Sequence, residues 1–150
     1  MIFEKVSLVT GGFDPIHSGH LRYFESAKNY SDYLVVGLNS DSWLNRKKGQ
    51  YFQSWTERAD IIRHLDMVDF VISWDDKDDS ACGAIAKCLE ISDTVVFCNG
   101  GDRGKENIPE VMGYGENCKV QFEYGIGGTD KLNSSSWILH NYLKGNGSIH

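Results

Sequence analysis

Proline is scarce in this chain, two in 150 residues, and no apolar run approaches the roughly 20 residues that cross a bilayer. With 41% hydrophobic and 24% charged residues of both signs, that scarcity excludes a disordered chain. The start, MIFEKVSLVTGG, sets acid and base ahead of only a short apolar stretch, unlike a signal peptide, so a cytoplasmic protein with no membrane partner is expected. Positive charge is in deficit as well: 15 Lys and Arg against 21 Asp and Glu give a net charge of −6. A general nucleic-acid binder needs many phosphate-neutralising cations, so nucleic acid is excluded as a partner and any phosphate site must be local. Cys82, Cys88, Cys98 and Cys118 show neither a CxxC pair nor Cys/His ligand spacing. They read as reduced, mostly buried thiols in a chain long enough to fold without staples. A chain of this length buries roughly 68–70% of its unfolded surface around one core, which suits a single domain over residues 1–150.

What is present is an alternation. Short β-branched or aromatic runs at 5–11, 33–39, 68–73, 94–98 and 119–124 read as strands. Between them, Leu21, Phe24 and Ala27, then Ala59, Ile62 and Leu65, then Ala81, Ile85 and Leu89 recur at helical spacing. Ser54, with Glu57 three residues on, reads as a capping box, and Ser80 after the acidic run Asp75–Asp79 as a second helix start. That acidic run fits no calcium loop and reads as a solvated cap. A last helix is predicted over 134–143, ahead of a frayed tail at 144–150. Strand and helix in alternation predict an α/β, Rossmann-like, doubly wound parallel sheet of five strands with helices on both faces.

The segment leaving the first strand carries the most chemistry: Gly11-Gly12-Phe13-Asp14-Pro15-Ile16-His17-Ser18-Gly19-His20. In an open α/β sheet ligands bind beyond the carboxyl ends of the strands, where the strand order reverses. Two glycines admit a ligand close to the backbone, and a helix start offers free N–H groups to phosphate. His17 and His20, three apart, share a helix face and can donate to phosphate oxygens as charge develops, with Gly19 keeping the approach clear. Without that context, His17 as a turn cap and His20 as a packing residue would be the plainer reading.

These residues resemble the HxGH signature of the nucleotidyltransferase superfamily. Over about residues 5–143 the chain is similar to its cytidylyltransferase-like branch, which includes glycerol-3-phosphate cytidylyltransferase and the adenylyltransferase domains of heptose-phosphate enzymes. Asn39-Ser40-Asp41, Arg46-Lys47-Lys48 and Ser54-Trp55-Thr56-Glu57-Arg58 fall at the family's spacing. The resemblance implies that Lys47 and Arg58 hold outer phosphates or the acceptor. Asn99-Gly100-Gly101-Asp102 resembles the family's nucleoside- and ribose-contacting segment. Ser134, Ser135 and Ser136 resemble its phosphate-facing I-S-T-T segment, with the glycine-rich run Gly125–Thr129 beside it. Two family cations have no counterpart: ahead of Ser134 the nearby cation is Lys131, a point charge rather than a planar fork, and Asp66 stands where a second arginine is expected.

The resulting expectation is transfer of a CMP or AMP moiety from a nucleoside triphosphate to a small phosphorylated polyol or sugar, with release of pyrophosphate. His17, His20 and Lys47 are the expected catalytic residues. Gly11, Gly12, Phe13, Asp14, Gly19, Arg58, Gly100, Gly101, Asp102, Lys131, Ser134, Ser135 and Ser136 are expected to contact nucleotide or phosphate. Magnesium is expected with the triphosphate, and Asp14 is placed to orient that ion or a histidine. CTP is favoured over ATP, because a minimal chain leaves the smaller base pocket. The resemblance further implies a homodimer. The contrasting reading is a non-catalytic nucleotide-binding regulatory module with the same sheet.

Overall fold

The computed structural model describes residues 3–100 and 109–127. Within them lie five strands, β1 (Phe3–Gly11), β2 (Tyr33–Leu38), β3 (Phe70–Ile72), β4 (Ser92–Gly100) and β5 (Val120–Ile126), and five helices, α1 (Ser18–Lys28), α2 (Asp41–Lys48), α3 (Trp55–Arg63), α4 (Cys82–Ile91) and α5 (Glu110–Tyr114). The strands form one parallel sheet in the order β3-β2-β1-β4-β5. The chain steps outward from β1 through β2 to β3 and then returns to β4 on the other side of β1. The strand order therefore reverses between β1 and β4, as the alternation predicts.

Period-two alternation in the strands feeds two cores. Val6 and Leu8 of β1, Val35 of β2 and Val95 and Phe97 of β4 face α4, meeting Ala84, Ile85 and Cys88. Val9, Leu34, Val36, Leu38, Val96 and Cys98 face the other way, against Phe24 and Ala27 of α1 and Ala59 and Ile62 of α3. Side chains that alternate across a strand leave both faces apolar, and each face must then be covered by a helix. All four cysteines are free; Cys88 and Cys98 are buried, and burial pushes both thiols up to about 12.

Three details depart from the sequence reading. β3 is only three residues long, because Val68 and Asp69 turn the chain, their N–H groups donating to Leu65 O and Leu34 O. Helix α2 was not predicted, since Leu44 is its one buried residue and it shows no apolar periodicity. Ser80 lies one residue ahead of the cap of α4, and its Oγ accepts from the Cys82 N–H at 3.3 Å. Ser54 caps α3 as expected, accepting from the Glu57 N–H at 3.3 Å. The helix predicted over 134–143 and the tail 144–150 lie outside the described residues. Among the described residues no helix is long and apolar enough to cross a membrane.

Candidate active site

Strands β1 and β2 end side by side, Gly11 beside Leu38, and β4 ends beside β5, Gly100 beside Ile126. The loop from Gly12 to His17 therefore leaves β1 at the point where strand order reverses. Its glycines serve packing first: a Cβ on Gly12 would lie 2.8 Å from Leu44 Cδ2, and one on Gly11 would lie 2.9 Å from the Phe13 ring. Phe13, at φ 48°, is in the left-handed region that few side chains adopt. It is turned into the core, edge-on to His20 at 4.9 Å and to Phe24 at 5.0 Å. Phe13 thus supports His20 from beneath and does not itself offer a phosphate contact.

His17 is the N-cap of α1, and its Nδ1 accepts from the Gly19 N–H at 3.1 Å. His20, at the third helical position, accepts on Nδ1 from the His17 N–H at 3.2 Å, closing a capping box built from two imidazoles. The rings stack with centroids 3.7 Å apart. Because a backbone N–H can only donate, each ring is unprotonated at Nδ1 and carries its proton on Nε2. Burial, then His17, then Lys48 lower the pKa of His20 from 6.5 to about 3, so this imidazole is neutral and donates from Nε2. The cap-and-packing reading and the chemical reading describe the same pair.

The cationic run divides. Lys47 is exposed and pairs with Asp79 at 3.4 Å. Arg46 donates to Asp76 O at 3.0 Å and to Asp79 at 3.1 Å. Lys48 is the member that acts on His20. Although Lys48 is exposed, the protein beside its ammonium lowers its pKa by desolvation, with Asp14 opposing that shift and Arg58 adding to it. The sequence reading named this run and selected Lys47. Only the phase of α2 distinguishes the three, and α2 left no apolar periodicity to set that phase.

Arg58 and Asp14 have roles that the sequence did not show. The Arg58 side chain is wholly buried. Its Nε donates to Gln53 O (2.9 Å), Nη1 to Gly12 O (2.8 Å) and Asn39 O (2.9 Å), and Nη2 to Asp41 Oδ1 (2.7 Å). With its donors facing inward and no solvent contact, it ties three loops together in place of holding an outer phosphate. Asp14 accepts from the Phe52 N–H at 2.5 Å and the Gln53 N–H at 2.7 Å. It anchors the loop between α2 and α3, a task other than orienting an ion or a histidine.

Asp76 is the residue most at odds with a solvated acidic cap. It is buried and accepts from the Asn39 amide (3.0 Å), the Ser40 N–H (2.8 Å) and the Ser40 Oγ–H (2.8 Å). Burial pushes its carboxyl upward, but these hydrogen bonds outweigh burial and leave it below its ordinary value. Ser40 in turn caps α2 through the Trp43 N–H. Asp76 thereby aims α2, and Lys48 with it. Five like residues in six positions hid which one turns inward.

On the far side of the crevice, Gly100 ends β4 with the Tyr23 ring 3.3 Å from where a Cβ would be, and Tyr23 Oη donates to Cys98 O at 2.5 Å. Gly127, at φ 82°, lets the end of β5 cross α1, where a Cβ would lie 2.8 Å from Tyr23 Cα. Gly101, Asp102, Lys131, Ser134, Ser135 and Ser136 lie outside the described residues.

The family model described as cytidylyltransferase-like matches residues 8–119, a span that holds the histidine turn, the α2 cation run and β4. This chain belongs to the cytidylyltransferase-like family. Among curated relatives, the bifunctional protein HldE of Geobacter metallireducens is 32% identical over 144 residues, covering 93% of this chain and 28% of that protein. HldE of Citrifermentans bemidjiense is 35% identical over 107 residues, 70% of this chain and 21% of that protein. The chain thus spans at most 28% of the length of these two relatives. A solved lipopolysaccharide core biosynthesis protein from Thermoplasma volcanium aligns with a TM-score of 0.64 and 24% identity, over 85% of this chain and 98% of that one. At that identity the likeness shows the fold.

Proposed function

We propose that this member of the family transfers a nucleotidyl group from a nucleoside triphosphate to the phosphate of a small phosphorylated sugar or polyol. An acceptor phosphate oxygen attacks the α-phosphorus, and a P–O bond forms. The bond to the bridging oxygen breaks, and pyrophosphate leaves. The observation that supports this most is the stacked His17–His20 pair at the strand-order reversal, with both Nε2–H groups left as donors. Neutral donors fixed before the substrate arrives stabilise charge as it grows on phosphate oxygens and need no reorganisation to do so. Lys48 adds positive charge at the same turn, and positioning supplies the rest.

For the nucleotide, the argument from a small chain to CTP gives way to ATP. Chain length does not determine base choice; the polar groups facing the base edge do. The matched relatives are HldE proteins, and the segment beginning at Gly100 resembles the adenylyltransferases as closely as the cytidylyl enzymes. Magnesium enters this reading as part of the substrate, neutralising the triphosphate and the departing pyrophosphate. Among the described residues no three His, Cys, Asp or Glu side chains gather into a metal site, and both oxygens of Asp14 accept from backbone, so the residues present do not fit a resident ion.

The test is pyrophosphate release from ATP, CTP, GTP and UTP, each with a panel of sugar and polyol phosphates. Release that depends on an acceptor, with ATP preferred, is the expected result. Tight nucleotide binding with no release from any pair would support the regulatory module instead.

A further inference from the structure

The loop between α2 and α3 carries Phe52 and Tyr51, the most exposed large aromatics among the described residues, at 57% and 43%. Exposed rings on a loose loop would mean little, but the backbone of this loop is held at nearly every position. The Gly49 N–H donates to Asn45 O, the Tyr51 N–H to Asn45 Oδ1, and the Phe52 and Gln53 N–H groups to Asp14. Gln53 O accepts from buried Arg58. A fixed backbone that presents two apolar rings to water is a preorganised surface, and exposed apolar surface of this kind marks a binding site.

Its position narrows the ligand. At one end Lys48 acts on His20; at the other, Asp14, three residues before His17, holds Phe52 and Gln53. Both ends therefore meet the histidine turn. The loop follows β2 and lies on the β2 side of β1, whereas the segment expected to take the nucleoside follows β4 on the opposite side. A phosphoryl centre held by the histidines leaves the β2 side for the other reactant.

We propose that Tyr51 and Phe52 form a platform for the acceptor, on which the C–H face of a pyranose ring rests while its phosphate reaches the histidine pair. This rests on the nucleotidyl-transfer reading and deepens it, because it selects a ring sugar phosphate over an open-chain polyol phosphate. An aromatic ring carries negative charge on its face and attracts the slightly positive C–H groups of a sugar face, while the sugar hydroxyls stay in water at the rim. Glycerol 3-phosphate has no such face.

Calorimetric titration with a panel of pyranose 1-phosphates tests this without turnover, with glycerol 3-phosphate and inorganic phosphate as ring-free controls and ATP as a separate ligand. In the wild type, at least one pyranose phosphate binds more tightly than both controls. Phe52→Ala and Tyr51→Ala each weaken that ligand about fivefold and leave ATP and the controls unchanged. Phe52→Leu, which keeps apolar bulk and loses the ring, falls between. Both side chains are exposed, so the variants keep their fold, which a melting curve verifies. A wild type that does not prefer a ring overturns the platform, and so do variants that bind the sugar phosphate like wild type. Weakened ATP binding assigns the loop to the nucleotide and overturns it too. If no pair of substrates releases pyrophosphate, the functional reading fails, while the titration still decides the platform.

Discussion

His17 and His20 each use Nδ1 to build the start of α1 and keep Nε2 for a ligand, so structure and chemistry share one imidazole. Replacing either by alanine is expected to lower kcat by on the order of 10²–10³ while changing nucleotide affinity little, because the donors act on charge that grows in the transition state. Single-turnover rates set beside calorimetric affinities check this, and parallel losses in both would make the pair ground-state ligands. Lys48→Ala is expected to lower kcat by on the order of tenfold or more. Lys47→Ala, which removes only an exposed pair with Asp79, should stay near wild type. His20 also writes a pH signature into stability. Its pKa is 6.5 in an unfolded chain and about 3 here, so below pH 6.5 the unfolded chain takes up a proton that the folded one refuses. The stability His20 contributes is complete above pH 6.5 and declines as pH falls towards 3. The shifted carboxyls of Asp76 and Asp79 lie below 3.8 and act only at lower pH. Melting temperatures between pH 7 and about 4.5 should therefore fall more steeply in wild type than in His20→Gln.

Helix α2 is polar on nearly every face, and its position depends on its ends. Ser40 and buried Asp76 set its N-terminus, and Gly49, at φ 89°, closes its C-terminus in the left-handed conformation that glycine adopts without strain. Arg58 of α3 then ties the Gly12 turn, the β2 exit at Asn39 and Asp41 of α2 into one unit. Arg58→Ala is expected to destabilise the fold by about 3–5 kcal/mol, since it strands several buried acceptors. Arg58→Lys should not restore it, because one ammonium cannot span that set. Urea unfolding measures both. A fall in phosphate affinity with unchanged stability would return Arg58 to the phosphate-binding role that the motif implied. No composition rule distinguishes a buried, fully bonded arginine from a substrate-binding one at the same position.

For the molecule as a whole, β3 is a three-residue edge strand, flanked by exposed Phe70 and Tyr33. Short strands and covered edges are how sheets avoid uncontrolled pairing, and two-fold pairing is the commonest oligomer. A homodimer of twice the 16.9 kDa chain is the expected species in light scattering, and a stable 16.9 kDa particle at micromolar concentration removes it. The five strands, their parallel order and the HxGH turn at the strand-order reversal were legible in the amino-acid sequence. Alternation, helical spacing and a motif at a strand–helix junction are local in the chain, and local patterns survive without coordinates. Tertiary structure decided what depends on contact between distant segments. It turned Asp76 inward to hold Ser40, drew Arg58 into the interior, and gave Asp14 to a loop 38 residues away. It also made Lys48, rather than its neighbour, the cation that acts on His20. The direction a side chain points, and the field it stands in, follow from what packs around it, and those neighbours are remote in the sequence.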